Sequence, residues 1–157
     1  MGLALLVCHY QSLLNYLILT LGVQAMTAMW DENPFASHVP NQNIAIVPSF
    51  TLECGQTLYN APVAYTTNGT LSSTGDNVVV VCHALSGSAD VREWWGPLLG
   101  GPECPLETSS LFIVCLNSLG SPYGSASPLT YKHGKARNGR YGPDFPLTTV
   151  RDDVRYV

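Results

Sequence analysis

The residues best placed to do chemistry lie in a short turn, residues 83–87 (His-Ala-Leu-Ser-Gly), directly after the apolar run 78–82. The run has no polar alternation, which is typical of a strand buried on both faces. Small residues at the end of such a strand leave a backbone N–H exposed. A rigid backbone donor of this kind stabilises the oxyanion that develops during acyl transfer. We therefore predict that the Leu85 amide is an oxyanion donor.

His83 has two interpretations. It can orient the turn by hydrogen bonding, and we favour this over a role as a general base. A histidine with a purely structural role explains the same pattern equally well. Asn117 is a second candidate because it follows another buried run, and ligands bind at the carboxyl ends of parallel strands. An asparagine at that position is also a common turn former.

The elements that must position this turn follow from periodicity and turn signals. Ser88 is the expected N-cap of the helix after the turn. Thr148 or Thr149 is expected to cap a closing helix. In chain order we predict strands at 44–53 and 58–67 forming an antiparallel hairpin, a central strand at 78–82, a helix at 88–99, a strand at 111–116, a long loop at 117–146 and the closing helix.

This order predicts an α/β fold in which a hairpin precedes parallel strands joined by a right-handed crossover helix. It corresponds to the opening part of an α/β-hydrolase sheet, ending before the nucleophile elbow, and no Gly-x-Ser-x-Gly occurs in the 157 residues. The predicted organisation is an apolar extension at 1–28, a linker at 29–43 and the N-terminal part of the α/β-hydrolase domain at 44–157.

Composition excludes several functional classes. The net charge of −4 provides no basic surface for nucleic acid. The five cysteines are odd in number and contain no Cys-x-x-Cys, so we expect neither a disulfide framework nor a metal site. Residues 3–23 are apolar but contain polar side chains and follow no Lys or Arg, which argues against a signal peptide or a membrane span. We predict a cytoplasmic protein, with membrane association through residues 3–23 as the alternative.

Three segments together carry a family resemblance: "PVAYTTNGTLSSTGDNVVVVCHALSGSADVREWWGPLLGG", "FIVCLNSLGSPYGSASP" and "YGPDFPLTTVRDDVR". They closely resemble the N-terminal third of homoserine O-acetyltransferases, most of all the fungal forms, with deacetylcephalosporin C acetyltransferase as a near relative. The resemblance runs from about Asn33 to the end of the chain. It implies an α/β-hydrolase enzyme of methionine biosynthesis that uses acetyl-CoA as co-substrate and binds no cofactor or metal.

The resemblance also implies site residues. The oxyanion loop includes Ala84, the wall of the cleft includes Asn117, Tyr123 and Gly124, and Tyr141 is a further substrate contact. The partners implied are acetyl-CoA and a small amino-acid alcohol, with a homodimer as the assembly of a full-length enzyme. The family's serine, Asp and His of the catalytic triad have no counterpart in this sequence, so we expect the 157-residue chain alone to be inactive.

Two other functions fit the same residues. One is a sister O-acetyltransferase that acts on serine or deacetylcephalosporin C, because the motifs present here are shared among such enzymes. The other is a non-catalytic, membrane-associated binding protein that uses residues 3–23 as its anchor.

Overall fold

The computed structural model describes residues 33–156, which form a mixed α/β arrangement around a four-stranded sheet. The predictions for residues 1–28 lie outside the described residues. The strand order is β1-β2-β6-β3, with a separate two-stranded sheet formed by β4 and β5. The strands are β1 (Asn43–Thr51), β2 (Thr57–Asn68), β3 (Val78–Val81), β4 (Leu99–Gly100), β5 (Leu106–Glu107) and β6 (Phe112–Leu116).

The predicted hairpin is confirmed. β1 and β2 pair antiparallel, with Ile46 opposite Pro62, and the connection turns at Gly55, whose φ is +82°. Only glycine adopts that conformation at little cost. One face of the hairpin lies on a hydrophobic cluster that includes Leu58 and Val63, each 1% exposed. Burial of this face stabilises the hairpin and fixes its register.

The two apolar runs pair in parallel, as α/β topology requires. Val79 lies opposite Ile113 and Val81 opposite Cys115. β6 lies between β2 and β3 and is the buried strand, whereas β3 is half-buried and stands at the edge of the described sheet. Within residues 33–156, no strand covers the second side of β3, so its predicted central position stays a prediction for a sheet with a further strand. The parallel pairing brings the chain after Val81 and the chain after Leu116 to the same edge.

The crossover helix is shorter than predicted. Helix α1 (Val91–Trp95) begins after Asp90, whose Oδ1 accepts hydrogen bonds from the Arg92 and Glu93 amides at 3.1 and 3.2 Å. Ser88 is not the N-cap; its Oγ accepts a hydrogen bond from the Asp90 amide at 3.2 Å. A 3-10 turn, Gly96–Leu98, follows where Gly and Pro interrupt the α-helix. The small β4–β5 sheet then completes the crossover and was not predicted.

The segment 117–146 is a loop punctuated by three 3-10 turns, Lys132–Gly134, Ala136–Asn138 and Gly142–Asp144. Before β1, a 3-10 turn at Pro34–His38 lies within the segment predicted as a linker. Ala36 in that turn is buried, and its carbonyl accepts a hydrogen bond from Gln42 Nε2 at 2.8 Å. The described end of the linker thus packs on the domain.

The closing helix, α2 (Val150–Tyr156), begins with a reciprocal cap. Thr149 Oγ1 accepts a hydrogen bond from the Asp152 amide at 3.1 Å, and Asp152 Oδ2 accepts one from the Thr149 amide at 3.0 Å. This is a capping box with Asp in place of Glu. Asp152 Oδ1 also accepts a hydrogen bond from the Glu53 amide at 2.8 Å, which joins α2 to the turn of the hairpin.

No helix of the described residues is long and apolar enough to cross a membrane.

Asp152 is 0% exposed, so its replacement tests how α2 is anchored. Asp152→Ala is expected to lower the free energy of unfolding by about 2–4 kcal/mol, because the Thr149 and Glu53 amides lose their acceptor. Urea unfolding followed by circular dichroism measures the change. The matched control is Asp144→Ala, which removes an exposed carboxylate paired with Lys132 and is expected to have a much smaller effect. Equal effects of the two substitutions would contradict this account.

Candidate functional site

The predicted oxyanion turn is a β-turn. The Gly87 amide donates a hydrogen bond to the Ala84 carbonyl at 2.7 Å, which places Leu85 and Ser86 at the two central positions. No residue of this turn has a positive φ, which fits a type I turn. Gly87 leaves little room for a side chain, since a Cβ there would lie 3.0 Å from the Ala84 carbonyl oxygen and 3.1 Å from the Trp94 ring. The turn is therefore closely packed on α1.

His83 fixes the first peptide of the turn. Its Nδ1 donates to the Ala84 carbonyl at 2.7 Å, and its Nε2 accepts a hydrogen bond from the Ser118 amide at 3.4 Å. Because a carbonyl can only accept and an amide N–H can only donate, the contacts require the neutral tautomer with the proton on Nδ1. The side chain thus links the turn to the residues that follow β6. Both ring nitrogens of His83 therefore form hydrogen bonds with the backbone.

The orientation of the Leu85 amide follows from these contacts. The Ala84 carbonyl and the Leu85 N–H belong to one planar peptide group and point in opposite directions. Two donors, Gly87 N and His83 Nδ1, hold the carbonyl oxygen on the inner side of the turn. The Leu85 N–H is directed to the outer side, and the Leu85 side chain is fully exposed.

Asn117 is a buried junction. It is 1% exposed, its Oδ1 accepts a hydrogen bond from the Ala89 amide at 2.7 Å, and its Nδ2 donates to the Tyr123 carbonyl at 3.0 Å and to Gln42 Oε1 at 3.2 Å. Both hydrogens of the side-chain amide and its oxygen therefore have protein partners. Asn117 therefore joins the start of α1 to the wall formed by the segment after β6. The substrate contact predicted for it remains a prediction.

The other predicted binding residues occupy two regions. Gly124 packs on the hairpin with a φ of +112°, and a Cβ there would lie 2.9 Å from Ala64 Cβ. Tyr123, adjacent to it, is half-buried and contributes its carbonyl to the Asn117 junction. Tyr141 is placed differently: its ring packs on Phe145, with 5.5 Å between the ring centroids, against the cluster beneath the hairpin. No contact that the structure shows joins Tyr141 to the oxyanion turn.

A small cavity of about 60 Å³ lies beneath the turn. Its walls include His83 and Ala84 from the turn, Val81 and Cys115 from the strands, and Trp94 and Trp95 from α1. The pKa of the Cys115 thiol is raised to about 12, chiefly by burial and to a smaller extent by neighbouring Cys82 and Asp90, against the lowering effect of a hydrogen bond with the His83 backbone. A thiol in this state is protonated at neutral pH and is a poor nucleophile.

A carboxylate that the sequence did not reveal reaches the same region. Asp153 Oδ1, on α2, accepts a hydrogen bond from the Leu119 amide at 2.7 Å. Burial raises the pKa of the Asp153 carboxyl above its ordinary value and Asp152 raises it too, while the Leu119 amide and His83 act in the opposite direction. The Asp153 carboxylate thus holds the segment after β6 from helix α2.

Three further polar residues complete the region and were missed in the sequence. Ser125 Oγ donates to the Asn117 carbonyl at 2.6 Å and accepts from the Ala64 amide at 3.0 Å. Thr66 Oγ1 donates to the Ala89 carbonyl at 2.5 Å. Gln42 accepts from Asn117, as described above. The only sequence signal for Thr66 and Gln42 was a polar residue within or directly before an apolar strand, and Ser125, in the loop after β6, had no such signal. Among residues 33–156, no group of three or more His, Cys, Asp or Glu side chains is arranged to hold a metal ion.

Sequence comparisons identify close relatives. The chain is 68% identical over 124 residues to homoserine O-acetyltransferase of Emericella nidulans, a match that covers 79% of this chain and 25% of the relative. It is 56% identical over 125 residues to the Saccharomyces cerevisiae enzyme of the same name, covering 80% of this chain and 25% of that relative. The chain thus spans about a quarter of the length of these curated relatives. No family model matches it.

Solved structures agree with the fold. Homoserine O-acetyltransferase from Bacillus anthracis superposes with a TM-score of 0.61 at 26% identity, covering 73% of this chain and 34% of that structure. Esterase E22 superposes with a TM-score of 0.62 at 24% identity, covering 73% of this chain and 35% of the esterase. These proteins have the α/β-hydrolase fold, so the predicted fold class is confirmed.

The Asn117 junction gives a direct test of the site's architecture. Asn117→Ala is expected to lower the free energy of unfolding by about 2–4 kcal/mol, because the Ala89 amide and the Tyr123 carbonyl lose a buried partner. Thermal or urea unfolding measures the loss. The control Asn138→Ala removes an exposed amide that donates to the Lys132 carbonyl and is expected to have a much smaller effect. An Asn117→Ala protein of unchanged stability would refute the junction.

Proposed function

Because the chain belongs to the homoserine O-acetyltransferase family, we propose that residues 83–87 supply one half of the oxyanion hole of an O-acetyltransferase. The observation that carries this proposal is the Ala84 carbonyl, held by Gly87 N and His83 Nδ1, each at 2.7 Å. This arrangement presents the Leu85 N–H outward without a partner within the turn. A donor fixed in advance is what oxyanion stabilisation requires, since it need not reorganise during the reaction.

The proposed reaction transfers an acetyl group from acetyl-CoA to the hydroxyl of L-homoserine. A serine of the complete enzyme attacks the thioester carbonyl, and the carbonyl oxygen becomes an oxyanion facing the Leu85 amide. The C–S bond then breaks, CoA leaves as the thiol, and the acetyl-enzyme remains. The homoserine hydroxyl attacks this ester through a second oxyanion at the same position, which yields O-acetylhomoserine and the free serine.

The uncovered side of β3 is where the strand that carries the nucleophilic serine of the complete enzyme would pair. β3 pairs with β6 on one side only within residues 33–156. A further parallel strand on its other side would end beside residues 83–87, at the carboxyl edge of the sheet where active sites of open α/β sheets lie. The amide following a serine at that strand end would be the second oxyanion donor.

The proposed location is the cytoplasm, where acetyl-CoA and free homoserine are both substrates of amino-acid biosynthesis. The alternative is membrane association through residues 3–23. Fractionation of cells that express the tagged chain separates the two: recovery in the membrane pellet after a carbonate wash would favour the alternative.

The isolated 157-residue chain is expected to transfer no acetyl group, because it contains no Gly-x-Ser-x-Gly nucleophile. The measurement is release of CoA from acetyl-CoA with and without homoserine, using a thiol reagent. Release above the uncatalysed rate, lost on heating the protein, would contradict this expectation.

A chimera tests the proposed function directly. In it, residues 33–156 replace the matching segment of the Emericella nidulans relative, which supplies the remainder of the enzyme. We expect the chimera to acetylate homoserine, because the segment carries its own oxyanion turn and supporting contacts. A folded chimera without activity, beside an active parent enzyme, would overturn the proposal.

Substitutions in the chimera identify the reacting group. Leu85→Pro removes the N–H but suits the second position of a type I turn, so the protein is expected to fold and lose roughly a hundred- to a thousand-fold in turnover. The matched control, Leu85→Ala, keeps the amide and is expected to retain most turnover. If His83→Gln abolishes turnover while Leu85→Pro leaves it unchanged, the imidazole and not the amide is the chemical group.

A further inference from the structure

The residues directly after β6 donate hydrogen bonds to separate parts of the fold. The Asn117 amide donates to the Ala64 carbonyl of β2 at 2.8 Å, the Ser118 amide to His83 Nε2 at 3.4 Å, and the Leu119 amide to Asp153 Oδ1 at 2.7 Å. Three consecutive amides thus bind a strand, the oxyanion turn and helix α2. The orientation of each amide constrains its neighbours, because adjacent planar peptide groups share one Cα and differ only by two dihedral angles.

Ser118 lies between two fixed peptide groups. The group before it is held by Ser125 Oγ, which donates to the Asn117 carbonyl at 2.6 Å. The group after it is held by Asp153 at the Leu119 amide, and its carbonyl accepts from the Ser121 amide at 3.0 Å. The direction of the Ser118 N–H toward His83 depends on both groups. The contact of Ser118 with His83 is long, so it is sensitive to small rotations of either group.

Helix α2 is itself well anchored. Asp152, the preceding residue, is fully buried and holds the hairpin turn and the helix cap, as described above. Tyr156 OH donates to the Pro62 carbonyl at 3.1 Å at the other end of the helix. Asp153 therefore projects from a fixed support. A charged acceptor on a rigid element makes a stronger and better-directed hydrogen bond than a neutral one on a loop.

We propose that Asp153 is a positioning residue of the oxyanion turn. It holds the Leu119 amide, which aligns the Ser118 amide with His83 Nε2. His83 then keeps its proton on Nδ1 and holds the Ala84 carbonyl, and the Leu85 amide points outward as a result. The functional meaning of this chain of contacts rests on the proposed oxyanion role of Leu85, but the contacts themselves are testable without any reaction.

The experiment uses the 157-residue chain labelled with ¹⁵N at histidine and at the backbone. Long-range proton–nitrogen spectra at mildly alkaline pH report the tautomer of His83, which is assigned by its absence in His83→Gln. We expect the unaltered chain to show His83 protonated on Nδ1. Asp153→Ala is expected to convert His83 to a mixture of tautomers, and to accelerate exchange of the Ser118 and Leu119 amides roughly ten- to a hundred-fold.

Two controls separate positioning from a general effect on α2. Asp153→Asn retains an acceptor at Oδ1, so it is expected to keep the Nδ1–H tautomer and the slow exchange. Val154→Ala alters an exposed neighbour on the same helix and is expected to change neither. If Asp153→Ala does not fold, Asp153→Ser takes its place, because its shorter side chain leaves the acceptor out of reach of Leu119.

The proposal is overturned if the Ala or Ser variant keeps the His83 tautomer and the slow exchange of Ser118, or if Val154→Ala changes them equally. It is also overturned if the unaltered chain shows His83 protonated on Nε2. None of these readouts involves acetyl-CoA. The proposal for Asp153 can therefore be refuted while the chimera still acetylates homoserine, and it can be supported if the chimera is inactive.

Discussion

The parallel pairing of β3 with β6 is the constraint on which the rest of the site depends. Parallel strands end at the same edge of a sheet, so this pairing brings the turn after Val81 beside the segment that begins at Asn117. Without it, His83 could not reach Ser118, nor could Asn117 reach Ala89. The apolar side chains of the two strands secure the pairing, since Ile113 and Cys115 are almost completely buried.

Polar groups at this edge are arranged so that few are left without partners. The Asn117 side chain satisfies an amide and a carbonyl that neither strand nor helix could use, and Ser125 and Thr66 do the same for neighbouring backbone groups. Among the described residues, no buried side-chain nitrogen or oxygen lacks a partner. A network satisfied in this way is rigid, because any change leaves a buried group unpaired at considerable cost. Such rigidity suits a site that must hold one amide in a fixed direction.

Patterns local in sequence predicted the strands, the hairpin and the turn, because each depends on neighbouring residues. The four valines of β3 and the run ending at Leu116 indicate strands by composition alone, although only β6 is buried along most of its length in the described sheet. The sequence predicted Ser88 as the N-cap, whereas Asp90 caps the helix, because serine and aspartate are both favoured N-caps and lie two positions apart here. The position of β3 at the edge of the described sheet depends on which strands lie beside it, and the residues of β3 do not encode this.

Residues that act over long separations could not be found in this way. Gln42 meets Asn117 across 75 positions, and Asp153 meets Leu119 across 34. In the sequence, Asp153 is an acidic residue in the first turn of a helix, and its favourable interaction with the helix dipole is enough to account for an aspartate at this position. Only the packing of α2 against the end of β6 shows that Asp153 holds a backbone amide, whereas Asp152 beside it holds the helix cap.

Residue-resolved hydrogen exchange of the Leu85 and Gly87 amides measures whether the turn presents a free N–H at Leu85. The Gly87 amide is expected to be protected, because it donates to the Ala84 carbonyl, and the Leu85 amide is expected to exchange at nearly the rate of an unstructured peptide. His83→Gln should reduce the protection of Gly87, because the Ala84 carbonyl then loses its second donor. A protected Leu85 amide in the unaltered chain would show that this N–H is engaged within the protein and would contradict the account.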